Sequence, residues 1–589
     1  MNRRHLRGRR ITGKVIGRGH LFIAALIILS VVSSALPQRR NRAAAARRAP
    51  TNTTQRGGSN SSPISVDTLR AHIKYLSDDL LEGRGTGARG GLLAAKYLAA
   101  QFEALGLRGG APGGSFFQPV SLVGVNANPK PTLTVSAGDK KESFKFADDF
   151  VAFTGAQTEN VSVDAADLVF VGYGIEAPEQ RWNDYKGEAS DYRNKILVML
   201  VNDPPATAAE PDLFGARALT YYGRWTYKYE EAARRGALGA ILLHTNESAG
   251  YPWSVVRTSN GSWRYDIARA KDDRTPFLKL RSWMTDDAAH RLMRLAGQDL
   301  DALRRAAATR DFQPVKLNLK ATIDIKSDVN RVEAPNVVAV IPGRDPKLRD
   351  EYVVFSAHWD HLGVGAPNQK GDTIYNGAQD NATGCAVLIA IAEAIMKLPA
   401  TERPRRSIMF LLPTAEEQGL LGAEWYASHP LVPLAKTAAD INLDSMNILG
   451  PTDDFVPLGA ERSSLDAIVQ AVARERGMRV SPNPRPEQGS FYRSDHFPFA
   501  KAGVPSISLK EGADYTGRPK GWGEEKFNAY NTANYHQPSD EYSDDWDFRG
   551  VVQEAEIALD IGRRVADQAE LPRFKPDDEF AKAQPNRGK

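Results

Sequence analysis

An α/β sheet covered by helices on both faces, interrupted by a smaller α/β unit, is the architecture that this 589-residue chain predicts. Three observations carry it. Strand-like apolar runs alternate with helical runs from residue 325 to 570. A second, separate alternation fills residues 161–320. The length also exceeds what one hydrophobic core ordinarily supports, so at least two domains are expected.

The order of elements begins with a basic segment, "MNRRHLRGRRITGKVIGRGH", followed by the apolar run "LFIAALIILSVVSSAL". Residues 1–36 therefore read as a signal peptide or an N-terminal anchor, with cleavage expected after Ala35 and a periplasmic or secreted destination. The run is short for a comfortable membrane span, so membrane attachment is expected only through this segment left uncleaved. Residues 1–50 hold twelve Lys and Arg and no Asp or Glu, so the remainder of a +5 chain is net acidic at −7 (+5 less 12). That balance excludes a nucleic-acid binder. With one cysteine, Cys385, neither an internal disulfide nor a lipoprotein cysteine in the signal is available. Hydrophobic content of 42% and charged content of 25% are those of a globular protein.

Residues 37–64 are polar and low in complexity and read as a linker. Leu69, Ile73, Leu76 and Leu80 then follow helical spacing, and "GGLLAAKYLAAQFEALGL" is a second amphipathic helix stopping at Gly106. Residues 65–155 are assigned to the first segment of the main domain, 161–320 to the insert and 325–570 to the second segment. A polar tail at 571–589 is expected to fray. In the second segment "NVVAVIPG", "EYVVFSAH", "RSIMFLLPT", "AADINLDS" and "PSISLK" supply strands, and "GCAVLIAIAEAIMKL" and "SSLDAIVQAVARERG" supply helices.

Five polar clusters are expected at the C-terminal ends of these strands, the edge where open α/β sheets bind ligands. They are His358, Asp360 and His361 in "SAHWDH", Asp380 in "NGAQDNATG", Glu416 and Glu417 in "PTAEEQG", Asp444 in "INLDSMN", and His536 with Tyr535 in "NYHQPSDE". Taken singly each has a bland reading: a solvated acidic pair, a helix cap, a hydrogen-bonded histidine. Taken together they meet a chemical requirement. Two adjacent zinc ions need about three nitrogen or oxygen ligands each, a carboxylate bridging a gap of about 3.5–4 Å, and a further carboxylate to take a proton from water.

These motifs resemble the co-catalytic two-zinc exopeptidases of the bacterial leucyl aminopeptidase and glutamate carboxypeptidase type. The resemblance implies a mixed central sheet covered on both faces and two zinc ions. It implies His358, Asp380, Glu417, Asp444 and His536 as metal ligands, with Asp380 bridging. It implies Glu416 as general base, Asp360 as the residue orienting His358, Asp540 as a further outer partner, and Tyr535 as a group polarising the carbonyl. His361 lies outside the family pattern. The insert, through "GYGIEAPEQRWNDYKG" and "RRGALGAILLHT", resembles a protease-associated domain.

The function expected is therefore hydrolysis of N-terminal residues from peptide substrates, with carboxypeptidase or dipeptidase activity the alternative within the family. Two other classes stay open at this level. One is a cysteine hydrolase using Cys385, although "GCAVLIAIAEAIM" reads as a buried helix. The other is a receptor-like binding protein that has lost its metals, against which the complete donor set stands. Asn-x-Ser/Thr sequences such as 381–383 are read as chance matches.

Overall fold

The computed structural model describes residues 62–585. The expected signal or anchor and nearly all of the expected linker lie outside them. Among the described residues no helix is long and apolar enough to cross a membrane.

Six strands make the body of the main sheet: β1 (Asn336–Ile341), β2 (Tyr352–Ser356), β3 (Ser407–Leu412), β4 (Thr437–Leu443), β5 (Asp454–Leu458) and β6 (Ser506–Glu511). They lie in the order β1-β3-β2-β4-β6-β5. The four central strands β3, β2, β4 and β6 are mutually parallel, whereas β1 and β5 pair antiparallel at the two sides. The sheet is thus mixed. Its residues alternate between two buried faces. Val353, Phe355 and Phe410 pack into the core shared with the helices Val66–Leu76, Arg89–Ala104, Thr383–Met396 and Arg549–Asp567. Val354, Met409 and Leu411 face the opposite side, against Tyr426 and Phe499. Burial on both faces explains why these strands read as unbroken apolar runs.

The second sheet has ten strands. Its centre is the parallel set Asn160–Phe170, Ile196–Leu200, Gly239–Leu243 and Leu280–Met284, closed by the long antiparallel strand Val315–Glu333. Leu168 and Phe170 point into one core, Val169 and Val171 into another, so the unit has its own hydrophobic interior. Its borders differ from those expected at 155–161 and 320–325. Ser121–Ala127 pairs with the end of the long strand, from Ser327 opposite Ala127 to Glu333 opposite Ser121. Thr132–Ala137, Lys140–Lys145 and Phe150–Phe153 belong to the same sheet. The insert therefore runs from about 120 to 334. The partner of Ser121–Ala127 lies some two hundred residues away and leaves no local mark.

The tail also differs from expectation. Phe574 and Phe580 are buried against Phe491 and Phe497, and Arg462 pairs with Asp578 at 3.0 Å. Two aromatic anchors in a polar stretch hold it on the main domain.

Candidate metal centre

Strands β2, β3 and β4 are parallel neighbours, so their C-terminal ends share one edge of the sheet. His358 follows β2, Glu416 and Glu417 follow β3, and Asp444 is the residue after Leu443, the last of β4. Asp380 sits in the turn before the helix Thr383–Met396. His536 departs from the expected strand end: it follows the helix Trp522–Ala533, which returns the chain to the site after β6. Ala415, Ser445 and His536 all adopt left-handed backbone conformations, with φ of 54°, 57° and 57°. Such non-glycine positions carry strain of roughly 1–3 kcal/mol each and cluster where side chains must be aimed.

Asp380 is the centre of the arrangement. Its Oδ1 is 3.2 Å from His358 Nε2, and its Oδ2 is 3.4 Å from His536 Nε2. Asp444 Oδ1 stands 3.5 Å from the same His358 nitrogen, and Glu417 Oε2 stands 3.0 Å from the His536 nitrogen. From these pairs follow two three-residue nests, His358–Asp380–Asp444 and His536–Asp380–Glu417, sharing one carboxylate, and His361, Asp380 and Glu417 also lie close enough together to hold one ion. The donor chemistry fits divalent metal. Asp380, Glu416, Glu417 and Asp444 bring four carboxyl groups into one enclosed site, and desolvated carboxylates need cations or protons beside them. Imidazole nitrogen with carboxylate oxygen is a set that zinc accepts.

The adjacent glutamates are driven apart electrostatically. Loss of surrounding water pushes Glu416 well above the ordinary carboxylate range, with the neighbouring charges of Glu417, Asp495 and Asp444 adding to it. Burial acts on Glu417 in the same sense but is outweighed by His536 and His361, and its carboxyl falls to about 2. The two neighbours are thus shifted in opposite directions, the separation that distinguishes a proton-transferring group from a ligand.

The supporting contacts correct one expectation. His358 Nδ1 meets the backbone carbonyl of Asp360, at 3.1 Å, and not its carboxylate. The Asp360 carboxylate instead accepts from the Thr86 hydroxyl at 2.9 Å and from the Glu416 N–H at 3.2 Å. With one residue between His358 and Asp360, the main-chain oxygen reaches the ring first, and the side chain is free to fix Glu416. Asp540 accepts from the backbone N–H groups of Gln379 and Asp380, at 3.0 and 3.1 Å, so it steadies the shared carboxylate. Tyr535 packs its ring on His536 with centroids 3.9 Å apart, and burial holds its hydroxyl protonated.

Three residues at the site escaped sequence reasoning, and a fourth was named and set aside. His361, set aside there, approaches Glu417 Oε1 at 2.7 Å and packs edge-on to His536. Room for it depends on Gly377, whose φ is 57° and where a Cβ would stand 2.5 Å from the His361 ring. Buried Arg84 donates to the carbonyls of Leu76, Trp359, Asn376 and Gly377 and knits together the loops under the site. Ser259 and Arg264 arrive from the insert: Ser259 Oγ is 3.0 Å from His536 Nδ1, and Arg264 donates to the carbonyls of Glu417 and Gln418. Arg84, Ser259 and Arg264 have no local signal beyond a polar residue near glycine or serine, whereas His361 stands in the "SAHWDH" cluster.

Two cavities flank the centre, and Glu416, Tyr535, His536 and Arg493 border both. The larger, about 190 Å³, also meets Asp380, Asp444, Arg485 and Phe527. The smaller, about 110 Å³, has an insert wall of Tyr221, Arg224, Trp225 and Tyr251.

Cys385 is remote from attack chemistry. It is fully buried in the main core, its thiol donates to the His358 carbonyl at 3.2 Å, and burial pushes its pKa up to about 12. Treatment of the folded protein with iodoacetamide should leave hydrolytic activity unchanged and Cys385 unmodified by mass spectrometry. Inactivation in step with alkylation at this thiol would restore the cysteine-hydrolase reading.

Residues 336–559 match the model of Peptidase family M28. Over this segment the chain is similar to the M28 peptidases. The segment contains all eight residues singled out above as ligands or catalytic groups. Leupeptin-inactivating enzyme 1 of Streptomyces exfoliatus is 27% identical over 209 residues, covering 35% of this chain and 42% of that protein. A glutamate carboxypeptidase 2 homolog of Caenorhabditis briggsae is 25% identical over 380 residues, covering 56% of this chain and 44% of its own length. The chain thus spans less than half the length of these relatives. Among solved structures, an aminopeptidase from Aneurinibacillus sp. strain AM-1 aligns with 88% of this chain and 97% of its own, at 20% identity and a TM-score of 0.49. The M28 segment excludes the whole ten-stranded sheet, whose strands all lie before residue 336.

Proposed function

We propose that this protein is a zinc-dependent exopeptidase that removes N-terminal residues from peptides at a two-zinc centre. The observation that carries the reading is the placement of the two Asp380 oxygens against two different histidines, 3.2 Å from His358 and 3.4 Å from His536. One zinc would be held by His358, Asp380 and Asp444, the other by His536, Asp380 and Glu417. Bound there, such a pair supplies Lewis-acid polarisation of a carbonyl and acidification of a water.

The chain's own groups do the rest. Glu416, raised by desolvation and fixed at its N–H by Asp360, accepts the proton of the attacking water and passes it to the leaving amine. Tyr535 keeps its proton and donates to the oxyanion as the carbonyl becomes tetrahedral. The cavity walls contributed by Tyr221, Trp225 and Tyr251 support a role for the insert, read as a protease-associated domain, in limiting which peptides reach the centre. The basic and apolar N-terminal segment supports export of the protein.

A second reading, carboxypeptidase, is favoured by one feature: Arg485 and Arg493 line the larger cavity beside Asp380 and Glu416, where guanidinium groups suit a substrate carboxylate. A peptide panel separates the two. Hydrolysis of a peptide with a free α-amine, and at least tenfold slower hydrolysis once it is acetylated, is the expected result. Equal rates on both, with cleavage lost when the C-terminus is amidated, would make the enzyme a carboxypeptidase.

A further inference from the structure

The insert does more than stand over the centre. Its helix Trp253–Asn260 ends against the loop carrying His536. Ser259 Oγ lies 3.0 Å from His536 Nδ1, and the Thr258 hydroxyl reaches the His536 carbonyl at 3.4 Å. Arg264, on the following strand and buried, donates to the carbonyl of Ser259 at 3.1 Å and to that of Glu417 at 3.3 Å. It also donates to the carbonyl of Gln418 at 2.9 Å, while the Gln418 side chain accepts from the Tyr265 N–H at 3.1 Å. Both residues that complete the second nest, His536 and Glu417, are therefore gripped from the insert.

The first nest is held differently. His358 Nδ1 rests on the Asp360 carbonyl, and Lys510 donates to the Asp444 carbonyl. Every one of these groups belongs to the main domain. The two nests share Asp380 but take their outer support from different structural units.

We infer that Ser259 is a positioning residue for one of two metal positions, and that the insert is a structural part of that position alone. The inference rests on the two-zinc reading above. With Nε2 directed at Asp380 and Glu417, the lone pair of that nitrogen is the one a metal would use, so the ring proton sits on Nδ1 and is donated to Ser259 Oγ. That hydrogen bond fixes both the tautomer and the ring angle. Loss of such outer partners typically weakens metal affinity by roughly 10–100-fold. Since Arg264 ties Ser259 to the chain around Glu417, movement of the insert would disturb both of these ligands and neither His358 nor Asp444.

The test is metal binding by the full-length protein carrying Ser259→Ala or Ser259→Thr, read by titration of the metal-free chain with zinc and by the visible absorption of the cobalt-loaded form. The wild type should take two metals per chain. Ser259→Ala should weaken one position by about 10–100-fold and leave the other within about twofold, with an altered cobalt spectrum. Ser259→Thr keeps the hydroxyl and should restore both readouts. Unchanged affinities and spectrum in Ser259→Ala, or equal weakening at both positions, would overturn the inference while leaving the two-zinc reading intact. A wild-type chain that binds fewer than two metals would overturn that reading and this inference with it.

Discussion

Glu416→Gln should lower turnover by at least about a hundredfold while leaving the metal content of the protein unchanged. The substitution keeps the size of the side chain and its backbone link to Asp360, but the amide cannot accept a proton. No other protonatable group replaces it in the same position, because Glu417 and Asp444 are held as anions by the histidine and lysine charges around them. Glu417→Gln should do the converse: it removes a charged oxygen 3.0 Å from His536 and should release metal from the second nest. Metal analysis beside steady-state kinetics distinguishes the two. If Glu416→Gln loses metal and Glu417→Gln retains it with reduced turnover, the roles within the pair are reversed.

Asp380→Ala should empty both metal positions and abolish hydrolysis. Each Asp380 oxygen faces a different histidine, so one side chain serves both nests. Asp444→Ala, by contrast, removes a donor from the His358 nest only and should leave one metal in place. The checking measurement is metal per chain in the two purified variants, with circular dichroism to verify that each is folded. Retention of one metal in Asp380→Ala would mean that the carboxylate is not shared and that two independent sites lie side by side.

Single-nest behaviour also bears on the insert. Excision of residues 161–320 would take Ser259 and Arg264 with it and would cut the ten-stranded sheet, because Ser121–Ala127 and the end of Val315–Glu333 are paired within that sheet. The residues between 120 and 334 form the unit that a deletion must respect.

Much of the main domain was legible in the sequence. Strands β1 to β4 and β6 announce themselves as apolar runs since both faces of the sheet are buried, and the helix after Asp380 does so through its continuous apolar stretch. The candidate donors were legible as chemical groups, with His358, Glu417 and Asp444 marked by the apolar strands before them, whereas Asp380 and His536 follow no apolar strand run. The inside of "SAHWDH" was less so. That Asp360 turns its carboxylate to Glu416 rather than to His358, and that His361 faces Glu417, depends on loop conformations no pattern states.

The sequence by itself determined which chemical groups are present, in what order, and on which elements, since hydrophobic period and donor type are properties of short windows of chain. Only the tertiary structure decided which groups meet. It brought Ser259 to His536 across 277 positions, joined residues 121–153 to the second sheet, and anchored Phe574 and Phe580 on the main domain. Those pairings are selected by hydrogen-bond geometry and by packing between distant segments. Their energy is shared between two stretches of chain, so neither stretch read alone carries it.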